Sequence, residues 1–266
     1  MTGKLEKRVA VITAAGSGIG AATARRFAKE GARIVIGDLS GKRADAIAGE
    51  IQATGARVEW LKMDAADPDG AQALVWRALD AFGQIDVMVN NAGYAEVAPL
   101  EEITLESWNR VLAVTLTGTF LGMKYCLPVM RRQGNGAIVN TASISGTAGD
   151  YGLSSYNAAK AGVINLTRSA AIENAKYGIR VNCVCPGTID TRAPQLLGGA
   201  RADEIRREQA AANPVARMGQ ADEIANAIFF LASDESSFIT GAAITADGGL
   251  TAHTGLPPFR RRTGNA

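Results

Sequence analysis

Short apolar runs recur along the chain at 9–13, 33–38, 58–64, 86–90, 137–141, 180–185 and 243–246, and most are separated by stretches with helical periodicity. The first of them, 9–13, is short and uncharged and reads as a buried strand. Strands that alternate with helices predict a parallel sheet covered by helices on each side, an α/β fold of about seven strands. On such sheets ligands bind beyond the carboxyl ends of the strands, so the residues that follow each run are where chemistry is to be sought.

Composition narrows the class. A chain of 266 residues with 47% hydrophobic content can bury one large core, and no Pro/Ser-rich linker or low-complexity segment divides it. The reading is one domain over 1–250 and a C-terminal tail over 251–266 that carries Pro257, Pro258 and Arg260 to Arg262. A net charge of +2 calls for neither a nucleic-acid nor a membrane partner, and the triple arginine reads as a solvated tail. The N-terminus has no apolar stretch after its charges, and no uninterrupted apolar run approaches the roughly 18 residues of a membrane span, so a soluble, cytoplasmic protein is expected. Cys126, Cys183 and Cys185 read as reduced core thiols.

The strand ends give a consistent set of polar and glycine positions. After the first run comes Thr13-Ala14-Ala15-Gly16-Ser17-Gly18-Ile19-Gly20, then a helical stretch. A glycine turn between strand and helix lets backbone N–H groups and a helix N-terminus face a phosphate, although a plain tight turn is the alternative. The second run ends in Asp38 and Leu39, placing a carboxylate 18 residues after Gly20, where such folds hold an adenosine ribose. The third ends in Asp64 and Ala65, the fourth in Asn90, Asn91, Ala92 and Gly93, the fifth in Ser143, and the sixth in Pro186, Gly187, Thr188, Ile189 and Thr191. Asp64, Asp67 and Asp69 could suggest a metal, yet Asp67-Pro68 reads better as a helix cap, and no metal is expected.

Tyr156 and Lys160 stand four apart on a predicted helix, so an ammonium can approach a phenol and lower its pKa from about 10 toward a useful range. Alone the pair is common on helices. Ser143, a hydroxyl donor at a strand end, raises it to a candidate catalytic set. His253 is the single histidine, which argues against a Ser-His-Asp hydrolase and against histidine-ligated metals.

In this order the motifs resemble those of the short-chain dehydrogenase/reductase family, over about residues 7–250, with Phe238-Ile239-Thr240-Gly241 and Asp247-Gly248-Gly249 as further markers. The resemblance implies a Rossmann-like doubly wound sheet and hydride transfer between a nicotinamide cofactor and a secondary alcohol/ketone pair. It implies Tyr156 as acid/base, Lys160 on the nicotinamide ribose, Ser143 on the substrate oxygen, and Thr188, Ile189 and Thr191 around the carboxamide. Asp64, Ala65, Asn91 and Gly93 would line the adenine and ribose side, and a homotetramer is expected. Asp38 points to NAD. Two alternatives are a 3-oxoacyl-type reductase using NADP(H), with Lys42 and Arg43 embracing the phosphate, and a non-catalytic nicotinamide-sensing protein.

Two positions depart from the family pattern. Ala14 stands where a glycine is usual, and an ordinary negative φ is expected there. Thr115 stands where an asparagine commonly supports a water that links the lysine to solvent, so catalysis is expected to persist with an altered proton relay. The substrate pocket is expected from 94–97, 144–151 and a movable 192–212 segment.

Overall fold

A computed structural model describes residues 3–192 and 199–254. Strands β1 (Val9–Thr13), β2 (Arg33–Asp38), β3 (Val58–Lys62), β4 (Val87–Asn90), β5 (Gly136–Thr141), β6 (Ile179–Pro186) and β9 (Ala243–Ala246) form one sheet in the order β3-β2-β1-β4-β5-β6-β9. Every pairing in it is parallel. The seven expected strands are all present, with the third shorter at its end and the sixth longer at both. A small parallel pair, β7 (Ile189–Asp190) with β8 (Gly219–Gln220), was not foreseen. At two residues each, these strands are too short to leave a hydrophobic pattern.

Helices α1 (Gly18–Lys29), α2 (Gly41–Gln52), α3 (Pro68–Phe82), α4 (Leu105–Leu112), α5 (Gly118–Gln133), α6 (Ser154–Asn174), α7 (Ala202–Ala212) and α8 (Ala221–Ala232) accompany the sheet. Alternate residues of β1 show why that strand is apolar up to its last residue. Ala10 and Ile12 enter one core with Phe27 and Ile228, while Val9 and Val11 enter the other with Leu74 and Met130. At roughly 25 cal/mol per Å² of apolar surface removed from water, two filled cores make the sheet's twin burial the main source of stability.

Local signals set the helix ends. Asp67 accepts hydrogen bonds from the N–H groups of Asp69 and Gly70 at the start of α3, with Pro68 in the first turn, as its sequence suggested. A π-helical turn over Ala113–Thr117 joins α4 to α5, making one continuous helix from Leu105 to Gln133 that is long and apolar enough by composition to cross a membrane. In this fold it instead lays one face on the sheet, with Leu121, Cys126 and Met130 in the core. The three cysteines are free and buried.

A polar thread crosses the middle of the sheet. Asn90 Nδ2 on β4 donates to Asn140 Oδ1 on β5 at 2.8 Å, and Asn140 Nδ2 donates to Thr167 Oγ1 on α6 at 2.9 Å. All three are buried.

Candidate active site

The carboxyl ends of β1, β2, β4, β5 and β6 converge at one edge. The opening turn has a different backbone from that expected: Ala14 has φ +51°, a left-handed conformation that disfavours a side chain. Residues far along the chain hold the turn in this form. Asn91 Nδ2 donates to the carbonyls of Thr13 and Ala14, each at 3.3 Å, and the Ala15 N–H is held by the Gly37 carbonyl. Gly20 must be bare because a Cβ there would stand 2.4 Å from the Ala14 carbonyl oxygen.

Gly16 is equally constrained, since a Cβ would come 2.7 Å from Arg43 Cβ and 2.8 Å from the Asp38 carboxylate. Gly18 has φ +54° and faces the Thr191 methyl, so the segment after β6 closes over the turn. Ser17 is the N-cap of α1 but makes no side-chain cap hydrogen bond, leaving the N–H groups of Ser17, Gly18, Ile19 and Gly20 outside the helical ladder. A glycine-lined loop with these free donors fits a pyrophosphate.

Asp38 is 4% exposed and well supplied with donors. Oδ2 accepts the Gly16 N–H at 2.9 Å, and Oδ1 accepts the Ser40 N–H at 2.8 Å and an Arg43 guanidinium N–H at 2.9 Å. Leu39 beside it is exposed, as is Asp64, whose carboxylate accepts the Ala66 N–H. Ala65 and Ala92 are buried; the Ala92 and Asn91 N–H groups both donate to Thr13 Oγ1. Thr141 Oγ1 donates to Asn91 Oδ1, so that one amide ties the ends of β1, β4 and β5 together.

Tyr156 and Lys160 lie one turn apart near the start of α6. Lys160 is buried, and its Nζ donates to the Thr141 carbonyl at 2.6 Å while standing 5.5 Å from the centre of the Tyr156 ring. Burial lowers its pKa to about 8. A Cβ on Gly93 would sit 3.4 Å from the ammonium, so the strand-four turn brings open backbone beside it. The expected lowering of the phenol by this lysine is not found. Burial instead raises Tyr156 to about 12, opposed by a hydrogen bond from Ser143 and assisted by the charge of Asp150. The ammonium is directed at a carbonyl rather than at the phenolic oxygen.

Ser143 starts a 3₁₀ turn (Ile144–Gly146), and Gly146 lets that turn lie flat on α6, where a Cβ would press 2.7 Å from the Lys160 carbonyl carbon. Thr115, fully buried in the π turn, accepts the Tyr94 N–H and donates to the Tyr94 carbonyl, both at 3.1 Å. Its own carbonyl takes the Thr119 hydroxyl at 2.9 Å. The hydroxyl therefore fastens the loop after β4.

Beyond β6, Gly187 N–H joins the Ala246 carbonyl, Pro186 ends the strand, and Ile189 lies in β7. Thr188 Oγ1 accepts from Asn213 Nδ2 at 2.6 Å. Asn213, at the end of α7, has no motif signal in the sequence. Residues 193–198 of the expected lid and the proline and arginine positions of the tail lie outside the described residues. The loops 94–98 and 150–153 meet where the Ala98 N–H donates to the Gly152 carbonyl, and they expose Val97 and Tyr151.

Residues 13–251 match the family model described as enoyl-(acyl carrier protein) reductase. The chain is 50% identical to the cis-4-hydroxycyclohexanecarboxylate dehydrogenase of Sinomonas cyclohexanicum, over 92% of this chain and 97% of that one. It is 41% identical to the cyclohexanol dehydrogenase of Acinetobacter sp. (strain SE19), over 94% and 98%. Levodione reductase superposes with a TM-score of 0.89 at 38% identity, covering 93% of this chain and 98% of the other. With the ordered motifs of its strand ends, its all-parallel seven-stranded sheet and these likenesses, the chain belongs to the short-chain dehydrogenase/reductase family.

Proposed function

We propose that the protein is an NAD-dependent dehydrogenase that interconverts a secondary alcohol and a ketone carried on an alicyclic ring. The observation that carries the reaction class is the meeting of Ser143, Tyr156 and Lys160 at the carboxyl edge of the sheet. A bound nicotinamide dinucleotide would supply or accept the hydride.

The chain's own groups do the rest. The glycine turn and the α1 N-terminus hold the pyrophosphate, Asp38 the adenosine ribose, and Lys160, beside the open backbone of Gly93, the second ribose. Ser143 donates to the substrate oxygen. Burial keeps the Tyr156 phenol protonated at neutral pH, so it is ready to release its proton to a carbonyl oxygen during reduction; in oxidation it must first lose that proton to act as base. Val97 and Tyr151 give the mouth an apolar rim suited to a ring hydrocarbon. The relatives named for cyclohexane substrates support the ring.

The NAD assignment rests on Asp38, whose carboxylate accepts ribose hydroxyls and meets a 2′-phosphate charge against charge. A second reading, an acyl-carrier-type reductase using NADP, is favoured by the description of the matching family model and by Arg43 beside Asp38. Following reduced-cofactor absorbance with cyclohexanol, cyclohexanone and an acyl-thioester ketone, each with NAD(H) and NADP(H), decides between them. Turnover of the ring substrates with NAD(H) supports the proposal, and turnover of the thioester alone with NADP(H) overturns it.

A further inference from the structure

Ser143 has a neighbour of its own kind. The hydroxyl oxygens of Ser143 and Ser145 lie 3.1 Å apart, and the Ser145 backbone N–H donates to Ser143 Oγ at 3.1 Å. Both residues are more than nine-tenths buried, at 9% and 8% exposure. The Ile144–Gly146 turn that joins them is pressed against α6 through Gly146, so neither hydroxyl can drift from the helix that bears Tyr156 and Lys160.

A serine hydroxyl has one proton and two acceptor positions. At Ser143 the Ser145 N–H fills one of the two acceptor positions. When the Ser145 hydroxyl donates to the other, Ser143 retains only its proton to offer, and the open direction for it is toward Tyr156 and the substrate oxygen. A donor that is itself accepting is also polarised and strengthened along the chain. In the structure the Ser143 hydroxyl donates to Ser145 Oγ; when a substrate oxygen arrives, turning both hydroxyls frees that proton and lets Ser145 donate back to Ser143.

We infer that Ser145 is a positioning residue, whose N–H and hydroxyl together saturate the oxygen of Ser143 and make its hydroxyl a dedicated donor to the carbonyl or alcohol oxygen. This inference rests on the oxidoreductase reading of the same site and adds to it a residue outside the Ser-Tyr-Lys set. Ser145 acts through Ser143 and touches no reacting atom itself.

The test compares Ser145→Ala and Ser145→Thr with the parent enzyme. Loss of the hydroxyl is expected to lower kcat about tenfold, with KM and the dissociation constant for NAD within about twofold, because only donation to the developing charge is weakened. Threonine, which keeps the hydroxyl, is expected to restore most of the rate. A substrate-free readout separates this from failure of the functional reading. Ultraviolet titration of the phenols, with Tyr156→Phe subtracted, should show Tyr156 ionising at higher pH in Ser145→Ala than in the parent, since the Ser143 donor that lowers it is weakened. An unshifted phenol titration, or a Ser145→Ala enzyme with the parent's kcat, overturns the inference even if the enzyme turns over; a shifted phenol supports it even if cyclohexanone proves the wrong substrate. If Ser145→Ala does not fold, Ser145→Cys, a weaker donor of similar size, carries the same comparison.

Discussion

Asn91 holds the carbonyl of Ala14 at 3.3 Å across the gap between the fourth and first strands, and the alanine answers with a left-handed backbone, φ +51°. A side chain in that conformation is strained by roughly 1–2 kcal/mol, which the glycine usual at this place in the family avoids. Ala14→Gly is therefore expected to stabilise the protein by about 1 kcal/mol after the larger chain entropy of glycine is subtracted. Calorimetry should show Tm rising by about 2–4 °C, and an unchanged or lower Tm counts against strain at this turn.

Tyr156→Phe keeps the ring and removes the proton. Turnover should fall by at least about 10²-fold while NAD still binds within about threefold of the parent affinity. Because burial lifts the phenol to about 12, its ionised fraction rises with pH throughout the neutral range. Alcohol oxidation by the parent should accordingly accelerate from pH 7 to 9, whereas ketone reduction should not. Oxidation that slows over that interval would remove the phenolate from the mechanism.

On the NAD reading proposed above, Arg43 is expected to temper the cofactor preference that Asp38 would create. Two like charges about 4 Å apart at an effective dielectric near 20 repel by about 4 kcal/mol, and with screening about half of that leaves roughly a thirtyfold preference for NAD. The guanidinium is paired with Asp38 Oδ1 and offsets part of its charge, so the parent's preference should be smaller than that figure. Arg43→Ala should widen the ratio of NADP to NAD dissociation constants, and Asp38→Asn should narrow it. Titration calorimetry reads both, and movement in the opposite directions would refute the assignment.

Thr115 has a packing task that an asparagine-to-threonine comparison alone would hide. Thr115→Val matches its volume yet strands the N–H and carbonyl of Tyr94, at a cost of about 1–3 kcal/mol. Thr115→Ser should stay within about 1 kcal/mol of the parent in urea unfolding. Equal losses in the two variants would show that the hydroxyl does not hold the loop.

Exposed aromatic and aliphatic side chains mark faces that a single copy leaves open: Trp76 on α3, Phe120 on α5, Ile172 on α6, and Phe238, which is completely exposed. A homo-oligomer, in the family's manner a tetramer, is expected. Light scattering that returns one chain's mass, 27.7 kDa, at assay concentration would rule it out.

Much of this architecture could be read from residue order because parallel strands buried on both faces leave near-continuous apolar runs, and the ends of those runs carry the chemistry. What could not be read was decided by partners distant in the chain: the carbonyl of Ala14 is held by Asn91 and the ammonium of Lys160 by the Thr141 carbonyl. The i and i+4 spacing correctly placed Lys160 beside the Tyr156 ring, but spacing says nothing of the competing acceptor that turns its Nζ away from the phenolic oxygen. The π turn at Thr115 left no trace in the periodicity, since a single extra residue per turn over five positions is too brief to shift the apolar stripe.

The amide thread through Asn90, Asn140 and Thr167 bears on mispairing rather than on catalysis. A strand made only of valine, isoleucine and methionine could slide two residues along its neighbour and still face apolar side chains in both directions. With one amide donating to the next at 2.8 Å, such a slip of β4 against β5 would bury both groups without partners, and a slide of α6 would strand Asn140 in the same way. Polar side chains in the middle of the barrier between the two cores thus penalise shifted pairings during assembly, and they align the strand ends bearing Asn91 and Ser143 with the helix bearing Tyr156.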